Sequence, residues 1–110
     1  MTVVKIFRKN GNIIGYRANG HTSYSDYGTD IVCSAVSTAL QLPLLSIQEI
    51  LKAEVKFNIN EDGFLEVDLR SLDKAVLDKI NLSLETMVLF ISDLSKQYPK
   101  NIKLVEKEEK

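Results

Sequence analysis

Gly20-His21-Thr22-Ser23-Tyr24-Ser25-Asp26-Tyr27-Gly28-Thr29-Asp30-Ile31-Val32-Cys33-Ser34-Ala35-Val36-Ser37 decides the fold, because the chain changes character across it. Upstream, residues 2–8 are β-branched and aromatic (Val3, Val4, Ile6, Phe7) and read as a strand. Asn10-Gly11 follows, the dipeptide that tolerates the positive φ of a tight hairpin turn, and residues 13–18 return with Ile14, Tyr16 and Ala18 expected on one face. Downstream, Asp30 is a good helix cap, and Ile31, Val32, Ala35, Val36, Ala39 and Leu40 recur at helical spacing. Between hairpin and helix lie polar residues without periodicity, bracketed by Gly20 and Gly28.

The same grammar then repeats. Pro43 falls inside the apolar stretch and is expected to kink the helix, or to start a second segment through Ile47, Ile50 and Leu51. Residues 54–60 alternate, with Val55, Phe57 and Ile59 expected inward. Asp62-Gly63 turns the chain, and Leu65, Val67 and Leu69 answer on the returning strand. From Leu72 to Tyr98 the period becomes helical, through Val76, Ile80, Leu84, Met87, Ile91 and Leu94, until Pro99 ends it. Ile102 and Leu104 suggest a short last strand, and the charged residues from about 106 read as a frayed tail. The expected fold class is α+β: a two-layer sandwich, order β-β-α-β-β-α-β, with helices on one face of a mostly antiparallel sheet.

The bulk numbers bound the function. At 110 residues the chain is expected to be one domain, residues 1–110, with one modest core. Fourteen basic against fifteen acidic residues leave a net charge of -1, which gives no electrostatic argument for a nucleic-acid partner. A single cysteine excludes an intramolecular disulfide. Neither a secretory signal nor an apolar run of membrane-spanning length is expected, so the expected setting is cytoplasmic, away from membranes. There a lone thiol stays a thiol.

The only histidine and the only cysteine flank one loop, twelve positions apart. Cys33, third residue of its helix if Asp30 caps it, sits where backbone N–H groups and the helix dipole favour a thiolate. The bland alternative is a buried cysteine packed in the core. His21, at a strand end, has the chemistry of a general base that later protonates a leaving amine; the competing role is a local hydrogen bond. Asp30, one helical turn before Cys33, is cap, histidine orienter or both. Ser37, one turn after, lines the site or bonds the helix. One His and one Cys are too few for a metal site, and Gly11, Gly15, Gly20 and Gly28 fit no nucleotide-binding pattern, so no cofactor is expected.

Gly20-His21, then the loop, then Gly28-x-Asp30-x-Val32-Cys33-x-Ala35-Val36-Ser37 resembles the signature of the ribosomal-processing cysteine protease family, Prp. Ser34 and Thr22 depart from the residues more usual there. The resemblance implies a nucleophile at Cys33, a base at His21 and assisting positions at Asp30 and Ser37. It also implies a mobile loop over residues 22–29 hinged at Gly20 and Gly28, and a homodimer. The implied substrate is a ribosomal protein precursor, large-subunit protein number twenty-seven, cut after a Phe-Phe motif in its N-terminal extension. The competing reading is a non-enzymatic dimeric binding module in ribosome assembly, with Cys33 merely buried.

Overall fold

A computed structural model describes residues 1–21, 30–60 and 63–109. The strands are β1 (Thr2–Lys9), β2 (Asn12–Asn19), β3 (Lys56–Asn60), β4 (Phe64–Asp68) and β5 (Ile102–Glu109), and the helices α1 (Ile31–Leu45) and α2 (Lys74–Gln97). The sheet runs β3-β4-β2-β1-β5, every pair antiparallel except β1 with β5. This is the expected α+β order, with both helices against one sheet face. On that face Val4, Ile6, Tyr16, Ala18, Leu65 and Val67 meet Val36, Leu40, Ile80, Leu84 and Ile91 from the helices, all buried. Tyr16 carries its hydroxyl into this core and donates it to the Leu40 carbonyl at 2.7 Å, tying β2 to the middle of α1.

Several elements differ from the reading of the sequence, each for a physical reason. The β1–β2 ladder shifts register between Phe7 and Arg8, so Gly15 pairs with Phe7 and Ile13 with Arg8, leaving Ile14 as the extra residue. Ile13, at 3 % exposed, therefore takes the inward position expected of Ile14. Pro43 neither breaks nor ends α1. The helix passes through it and widens into a π-helical turn, Ser46–Ile50, whose Ile47 is fully buried. These two segments together give an apolar run, Ile31–Ile50, that does reach membrane-spanning length by composition. One face of it packs into the core through Val32, Val36, Leu40, Leu44 and Ile47, while Ile31, Leu42, Leu45 and Ile50 are exposed.

β3 is the largest departure. All five of its residues are exposed, Phe57 and Ile59 included, because β3 is the outermost strand and the helices stop short of covering it. The charged end departs in the opposite direction. Glu106 to Glu109 form the second half of β5, paired through to Lys9. Arg8 holds them, donating to Glu106 Oε1 at 3.0 Å and, with both terminal nitrogens, to Glu85 of α2 at 2.8 Å. Alternating charge that looked like a tail is the outer row of a parallel strand.

Candidate active site

β2 delivers the chain to Gly20, which turns it sharply with φ +94. A β-carbon there would collide with the Met1 carbonyl oxygen, while Thr2 Oγ1 donates to the Gly20 carbonyl at 3.2 Å. Gly20 is thus clamped against the start of β1, and His21 follows from that fixed point. A second glycine meets the histidine from the β3–β4 turn. A β-carbon on Gly63 would lie 2.7 Å from the Gly20 carbonyl oxygen and 3.1 Å from His21 Cε1. Gly63 therefore packs its bare Cα against both. The Asp62-Gly63 dipeptide had announced only a turn; nothing in its local sequence distinguishes a glycine that turns the chain from one that also seats an imidazole.

Opposite, α1 begins as its cap predicts. Asp30 is in extended conformation and 6 % exposed, and its Oδ1 accepts the Cys33 N–H at 2.8 Å. The Asp30 carbonyl accepts the Ser34 N–H at 3.1 Å. Cys33 is accordingly the third residue of the helix and half-buried, with its thiol over the positive end of the helix dipole. The cap also refines the expectation that amides around Cys33 would hold an oxyanion. Those of Cys33 and Ser34 are already donated to Asp30.

His21 and Cys33 line one cavity of about 190 Å³. Val36, Leu40 and Leu65 supply apolar wall, and Ile59 and Phe64 close the side toward the outer strands. Ser37 reaches the same cavity, its hydroxyl accepting from Gln41 Nε2 at 2.8 Å. Ser34 and Thr38 lie along the groove between the two helices instead. Gly28 and the loop expected over residues 22–29 lie outside the described residues. Among the described residues no three His, Cys, Asp or Glu side chains gather as metal ligands do.

An α+β fold that brings a helix-start thiol and an imidazole to one apolar-walled cavity has the equipment of a small thiol-dependent hydrolase. Comparison with known proteins narrows it. The family model described as Cysteine protease Prp matches residues 1–103, and the chain belongs to that family. It is similar to the ribosomal processing cysteine protease Prp of Staphylococcus aureus, 28% identical over 94 residues that span 86% of this chain and 87% of that protein. The Bacillus subtilis protein of the same description is 24% identical over 94 residues, 84% of either chain. Among solved structures, the S. aureus protease in complex with a covalently linked product peptide superposes with a TM-score of 0.83 at 25% identity, covering 97% of this chain and all of that one. The protein is therefore an enzyme, a cysteine protease of the ribosomal-processing family.

Proposed function

We propose that this protease removes the N-terminal extension of a large-subunit ribosomal protein, number twenty-seven, cutting after a Phe-Phe pair, with Cys33 as nucleophile and His21 as base. The observation that carries the assignment of residues is the cavity itself: the chain's sole imidazole and sole thiol line it together. Its apolar walls suit an aromatic side chain beside the scissile bond.

The chemistry follows from those positions. The Cys33 thiolate attacks the scissile carbonyl carbon, and the carbonyl π pair moves to oxygen. Protonated His21 gives its proton to the amide nitrogen as the C–N bond breaks, leaving a thioester and neutral imidazole. His21 then takes a proton from water, whose oxygen attacks the thioester and expels Cys33. Asp30 accepts the Cys33 amide with one carboxylate oxygen; the other has lone pairs to meet the imidazolium that forms in each cycle. Ser37 assists at the cavity edge.

The enzyme acts in the cytoplasm as a homodimer, without binding nucleic acid itself. The groove between α1 and α2, about 800 Å³ and flanked by exposed Ile31, Leu42, Leu45, Leu82 and Phe90, supports the dimer. Mass spectrometry of a synthetic extension containing the Phe-Phe pair tests the function. Cleavage after the second Phe is expected, together with loss of turnover in Cys33→Ala. Iodoacetamide should alkylate Cys33 in the native protein, whereas a cysteine packed in the core would stay inert until unfolding. Normal turnover by Cys33→Ala would sink the mechanism.

A further inference from the structure

β2 leads to His21 and α1 carries Cys33, so the distance between imidazole and thiol depends on how the helix lies along the strand. We infer that Tyr16 is a positioning residue for the reaction: its hydroxyl, bonded to the Leu40 carbonyl, fixes the register of α1 against β2 and through it the seat of Cys33 opposite His21. This rests on the protease reading just given.

The kind of contact is the first argument. Among the described residues the Tyr16–Leu40 bond, 2.7 Å long and buried, is the one hydrogen bond between β2 and α1. The rest of the seam is apolar, with Ala18, Val36 and the Leu40 side chain buried along it. Apolar burial holds two elements together without direction, so by itself it permits one to slide along the other. A hydrogen bond weakens steeply with distance and angle, so it resists that slide.

Leverage is the second argument. Tyr16 stands four residues before the Gly20 turn, and Leu40 seven residues after Cys33. The strand arm is therefore roughly 13 Å long and the helix arm roughly 10 Å. Ala18 on one arm and Val36 on the other line the cavity, so the bond and the catalytic pair lie at opposite ends of one seam. A helix is stiff over two turns, and a slip at Leu40 reaches Cys33 undiminished.

The helix also needs holding at this point. Pro43, three residues on, brings no N–H to the Ala39 carbonyl, and the ladder widens from Ser46 into the π turn. Tyr16 grips α1 just before that irregular part and isolates the Cys33 end from it. The choice of side chain agrees. Phenylalanine would fill nearly the same space with no polar atom to satisfy, whereas a buried hydroxyl is costly without a partner. Burial pushes the Tyr16 hydroxyl above its usual range, so it stays a donor into strongly alkaline buffer.

Tyr16→Phe removes the hydroxyl and keeps the ring. Ile80→Val, in the α2 part of the same core, is the control for a protein that is merely less stable. Both should melt several degrees below the parent. On the Phe-Phe peptide Tyr16→Phe should lose about tenfold in kcat, since a misplacement of 1 Å costs roughly a hundredfold and a slip of half that about tenfold. Its KM should not change, because Tyr16 does not line the cavity. Ile80→Val should keep the parent's kcat. The second readout is spectroscopic. The chain's one histidine gives one pair of imidazole nitrogen-15 signals, which Cys33→Ala should shift in the parent. That shift should be about halved in the Tyr16→Phe background and whole in Ile80→Val. Parental kcat in Tyr16→Phe, or an equal loss in both variants, overturns the positioning role. A parent that cleaves nothing overturns the protease reading instead, and the imidazole signals then decide the role of Tyr16: a thiol effect equal in both backgrounds overturns it.

Discussion

Replacing Gly63 by alanine would press a methyl group into the place where this glycine meets Gly20 and His21, the base of the proposed mechanism. The new β-carbon would stand 2.7 Å from the Gly20 carbonyl oxygen and 3.1 Å from His21 Cε1. Carbon–oxygen contacts settle at about 3.3 Å or more, so the turn and Gly20 would have to part by roughly 0.6 Å. The displaced group is backbone, clamped in turn by Thr2, so the ring of His21 yields with it. A 1 Å misplacement of a reacting group costs on the order of a hundredfold in rate. A shift of half that or more should therefore lower kcat/KM between about tenfold and a hundredfold. Part of any effect is conformational, since φ of +81 at Gly63 costs about 1 kcal/mol once a β-carbon is present. Gly11 separates the two contributions. It shares φ +81 but has nothing within 4 Å of its would-be β-carbon. Thermal melts and peptide-cleavage kinetics on both variants supply the assay. Both should lose about 4 °C or more of Tm for each 1 kcal/mol of strain, and only Gly63→Ala should lose turnover. Unchanged kcat/KM in a folded Gly63→Ala protein would refute the seating of His21 by this glycine.

Three further outcomes are expected. Asp30→Ala should cost about 1 kcal/mol in denaturant unfolding through loss of the α1 cap, while Asp30→Asn keeps an acceptor for the Cys33 amide and most of that stability; turnover should fall in both, and full activity in Asp30→Asn would confine the carboxylate to capping. The Arg8 guanidinium holds the Glu85 carboxyl below its usual range, so this pair contributes stability above the unfolded carboxylate pKa of about 4.3 and loses it as pH falls through the lower folded value. Arg8→Met should thus lower Tm at pH 7 and flatten the decline below pH 4.3; parallel wild-type and variant curves would contradict it. The proposed homodimer predicts that Phe90→Glu, at an exposed site flanking the interhelical groove, lowers the sedimentation coefficient to that of a monomer in analytical ultracentrifugation, and an unchanged coefficient would remove that groove from the interface.

Local periodicity carried most of the fold, because each helix and hairpin obeys its own pattern. The Asp30 cap was legible for the same reason: its acceptor and the amide it satisfies are three residues apart. What escaped the sequence depends on neighbours distant in the chain. The alternation of Phe57 and Ile59 is the same whether or not a helix covers it, and only the strand order reveals that none does. The charges of Glu106 to Glu109 make sense as a strand only once Arg8 and the exposed row of β1 lie alongside. The bulge that promotes Ile13 over Ile14 belongs to the pairing, not to either strand. At the site, Cys33 and His21 were visible as residue types, whereas Gly63 acquires its importance from a contact made forty-two residues from His21.

The parallel pairing of β1 with β5 also sets the order in which this enzyme can come into being. Thr2, whose hydroxyl holds Gly20 in place, is matched in register with Ile102, a hundred residues later. Closing so long a loop adds little to the equilibrium cost, about 0.6 kcal/mol for each doubling of length, but it slows folding. The contact between Thr2 and Gly20 lies within the local β1–β2 hairpin, so the support beneath His21 can form early, before the far end of the chain is in place. The other edge of β1, and the Arg8–Glu106 contact across it, waits for the last strand to dock.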